Sequence, residues 1–205
     1  YKGVWARDSM ISLIGASTDP DPLYKSQFKK SLITLSKYQS KLGQIPNAVL
    51  KFEKNKPQVD FKSIDSSLWF VVGHYIYKKR YRDSSLFSNH KTAIKKAITW
   101  IRYRDVGEDV TIEQLPTTDW EDAFPEKFGA VASTQALYYK ILNLIKDKKN
   151  SKTLKFQVNT NPENKLWEGN FYWAYRWKNH NKYKEIGEWF DSFGNILAIL
   201  FELCD

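Results

Sequence analysis

The sequence predicts an all-α protein built as a double-layered ring of helices, and three observations lead to that prediction. Most of the 205 residues place apolar side chains at helical spacing. No stretch shows paired β alternation with hairpin turns. Strongly apolar helices alternate along the chain with amphipathic, lysine-rich ones. This alternation is typical of a helical toroid, because its inner helices are buried on all sides and its outer helices meet water on one side.

The first two helices are delimited by their own residues. SMISLIGAS (9–17) predicts a short apolar helix. LYKSQFKKSLITLSKYQ (23–39) predicts a second helix, whose apolar side chains recur at helical spacing opposite a lysine-rich face. Gly43 and Pro46 follow it and indicate its end, since glycine often terminates a helix and proline cannot continue one.

The middle of the chain predicts three more helices. SIDSSLWFVVGHYIYKKRY (63–81) is apolar and begins with Ser and Asp residues of the kind that cap helices. LFSNHKTAIKKAITWIRYR (86–104) is amphipathic. GAVASTQALYYKILNLIKDKK (129–149) is strongly apolar at helical spacing and is followed by the polar sequence NSKT, which we expect to break the helix.

The last third of the chain is less regular. LKFQVNTNPENKLWEGNFYWAYRW (154–177) leaves room for an extended segment, and its many aromatic side chains serve either as core or as a wall that stacks on sugars. EWFDSFGNILAILFELC (188–204) predicts an apolar helix capped by Asp191 or Ser192. Because 205 residues need only one core, a single domain is expected over 1–205.

The composition excludes several classes of function. The formal net charge is +9, but the cations are spread along most of the chain instead of forming a stripe, so no nucleic-acid partner is expected. Cys204 is the only cysteine, which rules out an intramolecular disulfide and a multi-cysteine metal site and suits the reducing cytoplasm. No apolar run approaches the ~20 residues that span a membrane.

Metal and cofactor chemistry are also not expected. His74, His90 and His180 are far apart in the sequence, and none has a ligand at metal-binding spacing or a nucleophile at catalytic spacing. No glycine-rich dinucleotide motif, phosphate-binding loop or GxSxG motif is present. The sequence therefore predicts neither a metal nor a cofactor.

Four polar clusters precede the four apolar helices: GVWARDS (3–9), KSIDSS (62–67), TTDWEDAFP (117–125) and WFDSFGN (189–195). Each couples a carboxylate with an aromatic residue or a serine near a helix N-terminus. Taken alone, each is explained by an N-cap, which stabilises a helix by about 1 kcal/mol. If the inner helices run parallel around a ring, however, all four clusters converge on one mouth. A pocket of tryptophans and carboxylates suits a sugar, since carboxylates accept hydrogen bonds from its hydroxyls.

The same segments resemble a known family: GVWARDSMISLIGA, GQIPN (43–47), SIDSSLWFVVGHYIY (63–77), DWEDAFP (119–125) and EWFDSFGNILAIL (188–200). They occur in the order found in six-hairpin glycosidases, the (α/α)6 toroid enzymes. The resemblance extends to the amylo-α-1,6-glucosidase (glycogen debranching) and alkaline/neutral invertase groups. It implies an inverting, exo-acting glycoside hydrolase that acts on α-glucosidic bonds of a glucose-containing oligo- or polysaccharide.

The resemblance assigns the general acid to Asp122. DWEDA resembles the family segment that carries this acid, and Asp122 falls at its position when counted back from Gln135 and Tyr138 of the following helix. Trp120 and Glu121 are then expected to flank the substrate. The acid must stay protonated near neutral pH, so its pKa should be raised by apolar surroundings or by a nearby like charge, both available from its sequence neighbours.

The substrate-binding residues follow from the other motifs by the same resemblance. Arg7 and Asp8 resemble the family's RD motif, in which the Asp holds sugar hydroxyls of the innermost subsite. The preceding aromatic residue, here Trp5, helps to shape the pocket. Asn47 belongs to the loop GQIPN, which resembles the edge of the family's pocket. Asp65 of the DSSLW motif is expected at the pocket rim, and Trp69 one helical turn deeper.

The main open question is which residue acts as the catalytic base. Inverting enzymes hold their two carboxyl groups ~6.5–9.5 Å apart, with a water between them. In the family the base lies on a later segment, so we expect it beyond Asp205 and expect this chain to be an incomplete portion of the toroid. Three alternatives stay open: a sucrose-hydrolysing neutral invertase, a truncated carbohydrate-binding remnant without activity, and a helical-repeat interaction protein without a shared pocket.

Overall fold

The computed structural model describes four segments of the chain: residues 3–51, 56–124, 126–179 and 183–204. They contain eight helices and six strands. By their internal contacts they divide into two compact units, Tyr1–Ile101 and Arg102–Asp205. The expectation of a helix-rich fold is confirmed, and the expectation that strands are absent is wrong. The single domain over 1–205 stays a prediction.

The helices of the first unit lie close to their predicted positions: α1 (Ala6–Ala16), α2 (Pro22–Lys37), α3 (Asp65–Tyr81), α4 (Ser85–Asn89) and α5 (Lys91–Arg102). α2 begins where the Asp21 side chain accepts a hydrogen bond from the backbone N–H of Leu23, with proline at the first helical position. The helix predicted over 86–104 is two helices, α4 and α5, which meet at His90.

A three-stranded antiparallel sheet also belongs to the first unit, with strands β1 (Gly3–Trp5), β2 (Ala48–Lys51) and β3 (Pro57–Asp60) in that order. Trp5 pairs with Ala48, and Ala48 pairs with Asp60. At the end of the sheet, Asn47 donates its backbone N–H to the carbonyl of Asp60 at 2.7 Å, and its own carbonyl accepts from Ala6 at 2.8 Å. The sheet therefore places the residues around Trp5 and Asn47 beside the start of α1.

The second unit contains the helices α6 (Ala132–Leu144), α7 (Lys148–Asn159) and α8 (Ser192–Leu200). The predicted break at NSKT is wrong, because α7 runs through it. Asp147 caps this helix by accepting from the N–H of Asn150, and the buried Ser151 donates to the side chain of Asn143 at 2.8 Å. These tertiary contacts override the weak helix propensity of Asn, Ser and Thr.

A second antiparallel sheet contains β4 (Ala130–Val131), β5 (Trp173–Asn179) and β6 (Tyr183–Phe190). β5 and β6 pair as an antiparallel hairpin, and only residues 173–177 of β5 fall in the segment 154–177 where the sequence left room for an extended piece. β6 also occupies residues 188–190 of the segment 188–204. The helix predicted in that segment, α8, begins at Ser192, directly after the predicted cap residue Asp191.

Two of the four apolar helices are buried as an inner layer requires. Residues 65–74 of α3 are all buried, and so are residues 132–138 of α6. The expectation that α1 and α8 are buried on all sides is wrong. α1 packs against α2 and α3, and α8 packs against α6, but Ile11 and Ile199 on their other faces are exposed.

The N-termini of α6 and α8 lie side by side. A Cβ atom added to Gly194 would lie 3.0 Å from Ala132 Cβ, closer than side chains normally approach, so this contact needs a glycine. The side chain of Asn195 joins α8 to the residue before β5: it donates to the carbonyl of Tyr172 at 3.0 Å and accepts from the N–H of Tyr172 at 2.8 Å. No helix of the described residues is long and apolar enough to cross a membrane.

Two histidines of the first unit are in contact: His74, which is buried, and His90, which is half-buried. His74 Nδ1 lies 2.9 Å from the carbonyl oxygen of Phe70, and His74 Nε2 lies 2.9 Å from His90 Nδ1. Because a carbonyl only accepts, His74 carries its proton on Nδ1 and accepts from His90 through Nε2. Burial, together with repulsion by His90, lowers the pKa of His74 to about 3. The third histidine, His180, lies outside the described residues.

The stability of the protein should therefore depend on the protonation of His74. The pKa of His74 is about 3 in the folded protein, against an ordinary value of 6.5. Between these two pH values the unfolded chain therefore binds a proton at His74 that the folded chain does not. The stabilisation is complete above about pH 6.5 and is lost as the pH falls. We expect wild type to lose about 2 kcal/mol more free energy of unfolding than His74→Leu between about pH 7.5 and about pH 5. Urea unfolding across this range measures it, and parallel curves would contradict it.

Candidate active site

Two of the four polar clusters meet in the first unit. Arg7, in the first turn of α1, donates through Nη1 to Oδ2 of Asp65, the first residue of α3, at 2.9 Å. The other oxygen of Asp65 accepts from the hydroxyl of Ser63. Both members of the ion pair are largely buried, so they join the starts of two helices that are 58 residues apart in the sequence.

The remaining candidates of the first unit surround these helix starts. Asn47 donates through Nδ2 to Oδ2 of Asp60 at 3.0 Å. Trp69 lies one turn into α3 and is buried, and Asp8 in the first turn of α1 is exposed. The indole N–H of Trp5 is buried and has no hydrogen-bond partner among the described residues.

The other two clusters meet in the second unit around a lysine. We call residues 116–124 and 126–129 the acid loop, since they include Asp119, Glu121 and Asp122. Lys127 of this loop is 1% exposed. Its Nζ lies 2.9 Å from Asp119 Oδ2, 2.8 Å from Glu121 Oε2 and 3.5 Å from Oδ2 of Asp191, the cap residue of α8. One buried ammonium therefore holds three carboxylates.

The charge of Lys127 is maintained by these neighbours. Burial alone disfavours an ammonium ion, but the attraction of Asp119, Glu121 and Asp191 outweighs it, so the pKa of Lys127 lies above its ordinary value. The lysine is then charged at neutral pH. The cluster therefore joins one ammonium group to three carboxyl groups.

Aromatic rings pack around the same lysine. Lys127 Nζ lies 4.9 Å from the centre of the Trp120 ring, within the range of a cation–π contact. Trp120 also packs edge to face against Phe193 in the first turn of α8, with ring centres 5.5 Å apart. Trp120 is 37% exposed, so part of its ring remains accessible to a ligand.

Asp122 has a different environment from Asp119. Asp119 is buried, whereas Asp122 is exposed, as are Ala123 and Phe124 after it. The apolar surroundings expected from these neighbours are therefore not formed by Ala123 and Phe124. The carboxylates next to it in sequence, Glu121 and Asp119, both contact Lys127.

The sequence matches the amylo-alpha-1,6-glucosidase family over residues 1–186. The chain belongs to this family. Among solved structures it is similar to a rhamnosidase from Klebsiella oxytoca with rhamnose bound, with a TM-score of 0.69 and 13% sequence identity. The similarity covers 100% of this chain and 39% of the rhamnosidase chain. No curated protein sequence matches the chain.

Family and fold together show that this member of the amylo-alpha-1,6-glucosidase family has a six-hairpin glycosidase fold. The resemblance read from the ordered motifs is thereby confirmed. At 13% identity the rhamnosidase shows the fold alone, and this chain spans 39% of the rhamnosidase's length. The roles of the individual site residues stay predictions.

The four clusters come together as two pairs. Clusters 3–9 and 62–67 meet through Arg7 and Asp65 in the first unit. Clusters 117–125 and 189–195 meet around Lys127 in the second. Convergence of all four clusters on one mouth stays a prediction. No group of His, Cys, Asp or Glu side chains that could hold a metal ion is found among the described residues.

Lys127 is not among the residues predicted from the sequence. The available signal is weak: a single lysine at the end of a loop rich in carboxylates and aromatic residues, within a chain that has 32 lysines and arginines. Its partner Asp191 is 64 residues away, so only the tertiary structure shows that the two are in contact.

Proposed function

We propose that this protein is an inverting, exo-acting glycoside hydrolase that cleaves α-glucosidic bonds of oligo- or polysaccharides, with an activity like that of amylo-α-1,6-glucosidase. The observation that carries the proposal is the acid loop. In a chain of this family, it presents an exposed Asp122 directly beside two carboxylates held by a buried lysine. A role in glycogen debranching and a cytoplasmic location belong to the same proposal.

Asp122 is proposed as the general acid. In an inverting reaction, a carboxylic acid protonates the glycosidic oxygen while water attacks the anomeric carbon from the opposite face of the ring. The base that activates the water is expected outside residues 1–205, as the family resemblance implies.

The other candidates are proposed to bind the sugar. Trp120 has an exposed part of its ring, and an aromatic face of this kind packs against the apolar face of a sugar ring. Asp8 is an exposed carboxylate at the start of α1 and can accept hydrogen bonds from hydroxyl groups. Arg7 and Asp65 shape the pocket through their ion pair, and the supporting residues are Trp5, Asn47 and Trp69.

The stereochemistry of the first product tests this proposal. We expect the full-length protein to release β-glucose initially from panose, a trisaccharide with an α-1,6 bond, because an inverting enzyme changes the anomeric configuration. Proton NMR of the anomeric signals during the first minutes distinguishes β-glucose from α-glucose before mutarotation mixes them.

Each other outcome has a definite meaning. Initial release of α-glucose would contradict inversion. Cleavage of sucrose without cleavage of panose or maltotriose would identify the invertase-like alternative. Absence of hydrolysis, together with binding of glucose oligomers in calorimetry, would identify a carbohydrate-binding protein without activity.

A further inference from the structure

We propose that Lys127 is a positioning residue, which fixes the carboxylate of Glu121 so that Glu121 accepts a hydrogen bond from a substrate hydroxyl. The inference rests on the proposed function, because it names the residue that orders the substrate-binding side of the acid loop. Lys127 itself is buried and does not touch the substrate.

The lysine is held by ion pairs on three sides. Lys127 Nζ has three carboxylate oxygens within 3.5 Å, belonging to Asp119, Glu121 and Asp191. The contact with Asp191 is also a hydrogen bond. These three contacts fix the position of the ammonium group.

Two of the three carboxylates are occupied by the protein. Asp119 Oδ1 accepts from the backbone N–H of Glu121 at 3.0 Å. Asp191 Oδ1 accepts from the N–H groups of Phe193 at 3.0 Å and Gly194 at 3.2 Å. Both carboxylates are also almost completely buried. They anchor the lysine and have no accessible surface for a ligand.

Glu121 is the member of the cluster that faces outward. Its side chain is 20% exposed, and Oε2 contacts Lys127. Within the described part of the chain, no donor contacts its other oxygen, Oε1. A carboxylate with one oxygen held by a lysine and the other open can accept from a hydroxyl without first losing side-chain freedom.

Fixing Glu121 in advance has a kinetic consequence. Groups that position a substrate must hold it near the reacting geometry, and a misplacement of about 1 Å can cost on the order of 100-fold in rate. Without Lys127, Glu121 would be free to rotate and would be repelled by Asp119 in the same loop. The substrate would then be held less precisely beside Asp122.

A double-mutant cycle on the full-length protein tests the inference. We expect Lys127→Met and Glu121→Gln each to lower kcat/KM for panose by about 10-fold to 100-fold. If Lys127 acts through Glu121, kcat/KM of the double variant should equal that of the less active single variant, because the second change removes nothing further. The exposed Lys152→Met on α7 is the matched control and should keep the wild-type rate.

Loss of folding is separated from loss of positioning by a compensated variant. Lys127→Met alone leaves buried carboxylates without their cation, whereas Lys127→Met with Asp119→Asn also removes one buried charge. We expect this double variant to show wild-type circular dichroism and cooperative thermal unfolding, while kcat/KM remains at least about 10-fold low.

The outcomes separate this inference from the proposed function. An active wild type with additive losses in the cycle, or with full activity in the folded Lys127→Met, Asp119→Asn variant, overturns the role of Lys127 and leaves the hydrolase proposal intact. A wild type that cleaves none of panose, maltotriose and p-nitrophenyl α-glucoside overturns the hydrolase proposal and, with it, the role of Lys127 in hydrolysis.

Discussion

Asp122→Asn is expected to lower kcat for the hydrolysis of panose by about 10²–10⁴-fold, the usual contribution of a general acid. The amide has nearly the same shape as the carboxyl group but cannot donate a proton of suitable acidity to the leaving oxygen. The change is small and the residue is exposed, so the fold should be unaffected. KM should change little, because the lost interaction forms only in the transition state.

Steady-state kinetics on two substrates distinguish loss of the acid from other damage. Fluoride leaves without strong protonation, so α-glucosyl fluoride should be hydrolysed by Asp122→Asn at a rate much closer to that of wild type. Glu126→Gln is the matched control, since Glu126 is an exposed carboxylate of the same loop. A wild-type rate on panose in Asp122→Asn, or an equal loss on both substrates, would contradict the assignment.

The helices could be predicted because their evidence is local. The apolar positions of α2 and the capping residue of α8 lie within the helices or next to them, and Asp191 does cap α8 as predicted. The break predicted at NSKT failed because the buried Ser151 donates a hydrogen bond to Asn143 on another helix. Contacts of that kind are not visible in the local sequence pattern.

The hairpin of β5 and β6 was missed although its sequence contains part of the signal. Trp173, Tyr175 and Trp177 alternate along β5 as large side chains do in strands. The partner strand lacks a matching apolar alternation, and its Gly187 lies opposite Tyr175, where the aromatic ring fills the space that a side chain would need. A glycine inside a strand usually argues against strand formation, and only the packing of the ring explains it here.

The sequence proposed candidate site residues, whose roles stay predictions, but it did not show the contacts between them. The ordered motifs identified Arg7, Asp65 and Glu121, and sequence reasoning could not show that Arg7 pairs with Asp65. The ion cluster around Lys127 was invisible for the same reason, since Asp191 is 64 residues from the lysine. Charged residues far apart in sequence become partners only through the packing of the helices that carry them.

Asp191→Ala is expected to lower the free energy of unfolding of the protein by about 3 kcal/mol, because the residue has two separate stabilising roles. Its Oδ1 caps α8 by accepting from the N–H groups of Phe193 and Gly194. Its Oδ2 lies 3.5 Å from Lys127 Nζ, and the side chain is 1% exposed, so the ion pair is hidden from water. Alanine removes the cap and the counter-charge together.

Asp191→Ser separates these two roles. A serine hydroxyl can cap α8 but carries no charge, so we expect it to recover about 1 kcal/mol of the loss and to leave the rest, which belongs to the contact with Lys127. Urea unfolding of wild type and both variants at neutral pH measures the difference. Equal stability of the serine variant and wild type would show that the ion pair contributes nothing, and equal stability of the two variants would show that the cap contributes nothing. A stability of Asp191→Ser between those of wild type and Asp191→Ala would mean that one carboxylate stabilises both the N-terminus of α8 and the acid loop that carries Asp122.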